Sequence, residues 1–407
     1  MGTVRKTRLT RIAVALGAAA VLVACSPGGG GAAPELTATS SPVPSAAPTP
    51  TPAPTASPTP TPSPSPVPQT DEARAAALVA GMSTIERAGV VVMGHAPGTD
   101  PAPLVGLLES GPQGLILMGD NIAADPDAQR LVSDAVASSA TPAPLIAIDE
   151  EGGDVTRLPW DGLPSARELK GADPSAVTAA FDARADLLGA AGITVNFGIV
   201  ADVPPDEGSF IFSRAYGTDP EIVADAVRAA VAGEGDRILS TLKHFPGHGA
   251  ASGDSHSSIP TTDETYDEWM GSDAVPFAAG IDEGAELVMV GHLRFTGVDE
   301  RPASLSPEWY RILRDDLGFE GVAVTDDLGM LTSSGEAAYA DPVANATSAL
   351  GAGADLVLTV VGASAEEHAR IVDGIAAATE RGEIPADRLA EAAERVMTLR
   401  LAADPGE

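Results

Sequence analysis

The chain holds one cysteine, Cys25, so no disulfide can close within it. Positive charge is scarce too: 24 Lys and Arg stand against 57 Asp and Glu, a formal charge of −33. A surface that acidic argues against nucleic acid or an anionic membrane face as partner, because both carry the same sign. It reads first as solubility. Long apolar runs are also missing. The stretch from Ile12 to Ala24 falls short of the ~20 residues a spanning helix needs, and it is flanked by Arg5, Lys6, Arg8 and Arg11.

A basic start followed by a short apolar stretch is the pattern of an export signal, here over residues 1–24. It ends in Leu22-Val23-Ala24-Cys25, which resembles the lipobox of bacterial lipoproteins. That resemblance implies cleavage before Cys25 and lipidation of its sulfur and amine. Acyl chains there would anchor the protein at the outer face of the membrane, at about 0.8 kcal/mol per buried CH₂. Residues 25–70 hold the lipidated Cys and a Pro/Thr/Ser-rich linker, with 14 of the 35 prolines. Such a segment cannot bury a core and is expected to be extended. From Pro42 to Pro68 it reaches on the order of 80 Å at ~3.1 Å per residue, a tether suited to work within a cell wall.

About 335 residues remain, assigned to one domain over residues 71–405. Short β-branched runs alternate there with Ala-rich helical patterns. The expected strands are Val90–Met93, Gly114–Met118, Leu145–Ile148, Thr194–Phe197, Leu239–Leu242, Leu287–Val290, Val322–Thr325 and Leu356–Val360. Helical patterns include Ser175–Ala190, Glu221–Ala232, Pro307–Leu317, Ala365–Arg381 and Pro385–Leu401. Apolar runs without polar alternation suit parallel strands buried on both faces. Eight of them, each followed by a helix, predict an α/β fold, a single (β/α)₈ TIM-type barrel.

Chemistry concentrates in Lys243-His244-Phe245-Pro246-Gly247-His248-Gly249, followed closely by Asp254-Ser255-His256. The Gly/Ser-rich composition predicts a loop carrying a site. Asp149, Lys243, His292 and Asp326 each fall within two residues of an expected strand end, where such barrels build active sites. His244 and His248 have a spacing that could suggest a metal. Pro246 and Gly247 lie between them, however, and no third ligand shows zinc spacing, so neither metal nor cofactor is expected.

Several ordered motifs resemble the bacterial β-N-acetylhexosaminidases of glycoside hydrolase family 3. They are Gly114-Leu115-Ile116-Leu117 leading to Asn121, Asp149 through Arg157, Arg214-Ala215-Tyr216-Gly217, the Lys243–Gly249 segment with Asp254-Ser255-His256, and Val324-Thr325-Asp326-Asp327-Leu328. The resemblance implies a retaining exo-β-N-acetylglucosaminidase. Asp326 would be the nucleophile and His256 the general acid/base, with Asp254 its partner. Asp149, Arg157, Arg214, Lys243 and His244 would hydrogen-bond the sugar, and His292 would line the site. Glu151 reads as a partner for these cations, and Asp327 as a structural or solvated carboxylate.

The chain departs from the family pattern at Asn196-Phe197-Gly198-Ile199, Asp154, Ala215 and Tyr216. Peptidoglycan fragments are the expected substrate and the cell envelope the expected location. Three alternatives stay open: phosphorolysis in place of hydrolysis, another β-glycosidase of the same family, and a non-catalytic glycan-binding lipoprotein. An imidazole suits the acid/base role because it titrates near ~6.5 and can both give and take a proton at neutral pH.

Overall fold

The computed structural model describes residues 70–403, apart from Ser252, Asp254, His256 and Ser257. The expectations for the leader, Cys25, the linker, and the Asp254–His256 couple therefore fall outside the described residues.

Among the described residues ten strands run in chain order: β1 Val92–Gly94, β2 Gly114–Leu117, β3 Leu145–Ile148, β4 Val195–Val200, β5 Leu239–Phe245, β6 Thr261–Thr265, β7 Leu287–Val290, β8 Arg294–Gly297, β9 Val322–Thr325 and β10 Val357–Thr359. Eight form one parallel sheet in the order β10-β1-β2-β3-β4-β5-β7-β9. A parallel bridge between Val324 and Leu356 brings the two edges together, and Thr325 N–H donates to Leu356 O at 3.0 Å. The sheet is thus closed into the expected barrel. The pair β6–β8 was not anticipated and forms a small separate ribbon.

Alternation along the strands sorts their side chains. Leu115, Leu117, Ile146 and Ile148 pack outward on the helical layer with Leu104, Val132 and Leu188. Ile116, between the first two, faces a cavity at the top of the barrel instead. Each run is buried along its length because sheet faces inward on the barrel and outward on helices.

Five helices begin with the same two residues. Asp100-Pro101, Asp125-Pro126, Asp173-Pro174, Asp219-Pro220 and Asp341-Pro342 each place an aspartate whose side chain accepts from a first-turn N–H, then a proline. The carboxylate caps donors that have no partner within the helix, and proline needs no donor at that position.

Some boundaries differ from expectation. Val90 ends a helix, Thr84–Val90, started by a Ser83/Glu86 capping box, so the first strand begins only at Val92. The helix from Pro307 is α-helical only to Arg311 and continues as a π-turn over Ile312–Asp316. The larger correction concerns β5. Lys243, His244 and Phe245 belong to the strand and are buried, not exposed on a loop. Phe245 explains this: it packs edge-on against Trp269, Phe277 and Trp309 at 5.7, 5.4 and 5.7 Å between ring centroids.

Candidate active site

The C-terminal ends of the barrel strands surround a cavity of about 150 Å³. Its polar wall includes Asp149, Arg157, Arg214, Lys243, His244 and Asp326; Met118, Met289, Met330 and Leu358 supply apolar surface. Pockets for drug-sized ligands run from ~300 to 1,000 Å³, so this one admits a single small ring.

Lys243 and His244 are neighbours in sequence, yet both line the cavity. The register of β5 against β7 shifts between Leu242 and Phe245, an irregularity of the kind that re-aims side chains. Lys243 Nζ donates to Asp149 Oδ1 at 2.9 Å and lies 2.7 Å from Glu151 Oε1. Arg214 forks onto Glu151, Nε to Oε2 at 2.8 Å and Nη2 to Oε1 at 2.6 Å. Burial alone would raise the Glu151 carboxyl, but Lys243 and Arg214 outweigh it and hold it at about 2. Burial opposes the Lys243 charge as well; Asp149 and Glu151 overcome it and raise its pKa. Glu151 is thus the partner of the two cations, as expected. Arg157 Nη2 stands 3.6 Å from Asp149 Oδ2.

His244 is fixed from behind by a residue no motif had singled out, the fully buried Asp202. Asp202 Oδ2 is 2.7 Å from His244 Nδ1, and its Oδ1 accepts from the N–H groups of His244 at 3.1 Å and His248 at 2.7 Å. Arg214 Nη2 lies 3.3 Å from His244 Nε2. A guanidinium can only donate, so Nε2 accepts and Nδ1–H donates to Asp202. Burial pushes Asp202 up, and His244 and His248 more than offset it.

Asp326 follows β9. Its N–H donates to Val290 O at 2.9 Å, and its Oδ1 accepts from Asp327 N–H at 2.8 Å. Burial raises the Asp326 carboxyl, but His244, His292, the Asp327 N–H and Lys243 together hold it below the ordinary carboxylate value. It is therefore an anion at neutral pH beside a cluster of donors. Asp327 behaves differently. Its carboxylate accepts from Gly329, Val360 and Val361 N–H at 2.8, 2.8 and 2.9 Å, tying two loops together. The structural role expected of it holds.

His292 does not line the cavity. Its Nε2 donates to Asp327 O at 2.8 Å and its Nδ1 meets Ser304 Oγ at 2.7 Å, so both nitrogens are occupied behind Asp326. Asn196 is likewise structural: its amide bonds Glu150 main chain and Glu234. Ser255, the residue between Asp254 and His256, is buried and lines the cavity.

Comparison with known proteins agrees with this geometry. Residues 107–399 match the family described as Glycosyl hydrolase family 3 N terminal domain. A β-hexosaminidase of Methylococcus capsulatus is 37% identical over 257 residues, covering 60% of this chain and 74% of that protein. A family 3 β-N-acetylglucosaminidase from Paenibacillus superposes with TM-score 0.74 at 30% identity, over 80% of this chain and 64% of that one. A β-N-acetylhexosaminidase from Beutenbergia cavernae superposes with TM-score 0.70 at 28% identity, over 79% and 99%. The family match takes in β2 to β10 and the strand ends that build the cavity, and the chain belongs to glycosyl hydrolase family 3.

Proposed function

We propose that the protein is a retaining exo-β-N-acetylglucosaminidase. The observation that carries this reading is Asp326, an anionic carboxylate at a strand end, in a cavity sized for one sugar and walled by Asp149, Arg157, Arg214, Lys243 and His244. The β-hexosaminidase relatives support the sugar class.

In the first step an Asp326 oxygen bonds to the anomeric carbon as the bond to the leaving oxygen breaks. His256 delivers a proton to that oxygen, and Asp254 supports the imidazolium. In the second step His256 takes a proton from water, the water oxygen bonds to the anomeric carbon, and Asp326 departs as carboxylate. The Asp149 carboxylate accepts from sugar hydroxyls, while the Lys243, Arg157 and Arg214 cations donate to them. Terminal N-acetylglucosamine of peptidoglycan fragments suits a one-ring pocket on an envelope-tethered enzyme.

Asp326→Ala should reduce hydrolysis of an aryl β-N-acetylglucosaminide to background, and the wild-type protein should release free N-acetylglucosamine from muropeptides. Sugar 1-phosphate as the product in phosphate buffer would instead establish phosphorolysis.

A further inference from the structure

Glu150 stands between Asp149, which lines the cavity, and Glu151, which pairs with Lys243 and Arg214. It is fully buried and does not line the cavity itself, and the reaction described above gives it no part. Its side chain reaches forward along the chain instead. Glu150 Oε2 accepts from Arg157 N–H at 2.9 Å and from Leu158 N–H at 3.0 Å. The turn between them is closed by Glu151 N–H, which donates to Val155 O at 3.0 Å. It bends at Gly152 and Gly153, both with positive φ, and a Cβ on Gly152 would meet Arg184 Nη2 at 2.6 Å. Asn196, on β4, fixes the Glu150 main chain from the other side. Its Oδ1 accepts from Glu150 N–H at 3.1 Å and its Nδ2 donates to Glu150 O at 3.2 Å.

Arg157 depends on that support. Among the described residues its guanidinium makes one ion pair, to Asp149 at 3.6 Å, and its Nε is buried without a partner. A separation of 3.6 Å is too long for a hydrogen bond and holds a flexible side chain weakly. The main chain must therefore place it. Leu158 packs outward with Leu104 and Leu188, while Arg157 lines the cavity, so one carboxyl holds the N–H groups of two residues that face opposite ways. Burial raises the Glu150 carboxyl to about 8; the two N–H groups oppose the rise and Asp161 adds to it. At neutral pH the group is an uncharged carboxyl, and glutamine offers the same shape and the same acceptor oxygen.

Resting on the reading of Arg157 as a donor to the sugar, we propose that Glu150 is a positioning residue: by holding the Arg157 and Leu158 N–H groups it sets where the Arg157 guanidinium stands in the cavity. The Asp149-Glu150-Glu151 run then divides its work three ways. Asp149 faces the sugar, Glu151 balances the Lys243 and Arg214 cations, and Glu150 places the third cation, Arg157.

The test measures KM and kcat for an aryl β-N-acetylglucosaminide, and Kd for free N-acetylglucosamine. Glu150→Met keeps the buried bulk and removes the acceptor. It should raise KM and Kd about fivefold to tenfold, the scale of one lost hydrogen bond. It should leave kcat within about twofold, the mark of a group that binds ground and transition states alike. Glu150→Gln should stay close to wild type in all three. Arg157→Ala should match Glu150→Met, and the double variant should be no worse than Arg157→Ala alone, because the two residues act as one unit. If Glu150→Met does not fold, Glu150→Asp takes its place with the same expected rise, since the shorter chain draws the acceptor back from both N–H groups. Unchanged affinity in these variants, a loss in Glu150→Gln equal to that in Glu150→Met, or losses that multiply in the double variant overturn the proposal. A wild-type protein that binds the sugar without cleaving it refutes the hydrolase reading alone, and Kd then decides the role of Glu150.

Discussion

Asp326 and Asp327 are the same residue type one position apart, and their surroundings give them opposite work. Asp327 spends its carboxylate on three main-chain N–H groups and is raised by burial; Asp326 keeps its carboxylate at the cavity and is lowered by its neighbours. Three other acids are pushed by burial to about 8, Glu150, Glu234 and Asp273. In the unfolded chain such groups titrate near ~4. Their contribution to stability is whole below that value and is lost as pH rises toward about 8, because the unfolded chain releases those protons first. Glu151, Asp202 and Asp326 are lowered, and their contribution fails only as the solution turns strongly acid. Thermal melts should therefore fall by several degrees from pH 5 to pH 8. Glu234 accepts from Asn196 Nδ2 at 2.6 Å, a bond glutamine can keep. Glu234→Gln should flatten part of the fall; melting curves parallel to wild type across that range would refute the assignment of Glu234 as a protonated carboxyl.

At the scale of elements, apolar runs were enough to place all eight barrel strands, because a strand buried on both faces needs little else. Ends were harder to read. The fourth strand was expected to stop at Phe197 and runs to Val200, so Asp202 falls within two residues of a strand end after all. The rule that singled out Asp149 and Asp326 would have found Asp202 had that boundary been right. The fifth strand was cut short at Leu242 by the glycines and proline beyond it, although Phe245 had an aromatic cluster waiting to bury it. Neither the cluster nor the register shift that turns both Lys243 and His244 into the cavity leaves a mark on local composition. The Asp-Pro pairs are a legible signal in the sequence: Asp173-Pro174 and Asp219-Pro220 start their helices at Pro174 and Pro220, one residue before the expected Ser175 and Glu221. His292 shows the opposite error. It does stand at a strand end, but its partners Ser304 and Asp327 O come from distant segments and occupy both of its ring nitrogens.

The whole molecule joins a barrel of ordinary architecture to a long N-terminal segment whose composition suits an envelope tether. If Cys25 carries lipid, the wild-type protein should fractionate with membranes and Cys25→Ser should appear in the soluble fraction; a variant that stays with the membrane contradicts lipid anchoring at that residue. The catalytic account is independent of the tether and depends on Asp326 forming a bond to the sugar. The most direct measurement is to trap that intermediate with an activated, fluorinated N-acetylglucosaminide and locate the adduct by peptide mass spectrometry. The account predicts one sugar per chain, attached to Asp326; attachment to any other side chain, or continued turnover with no adduct formed, would contradict it.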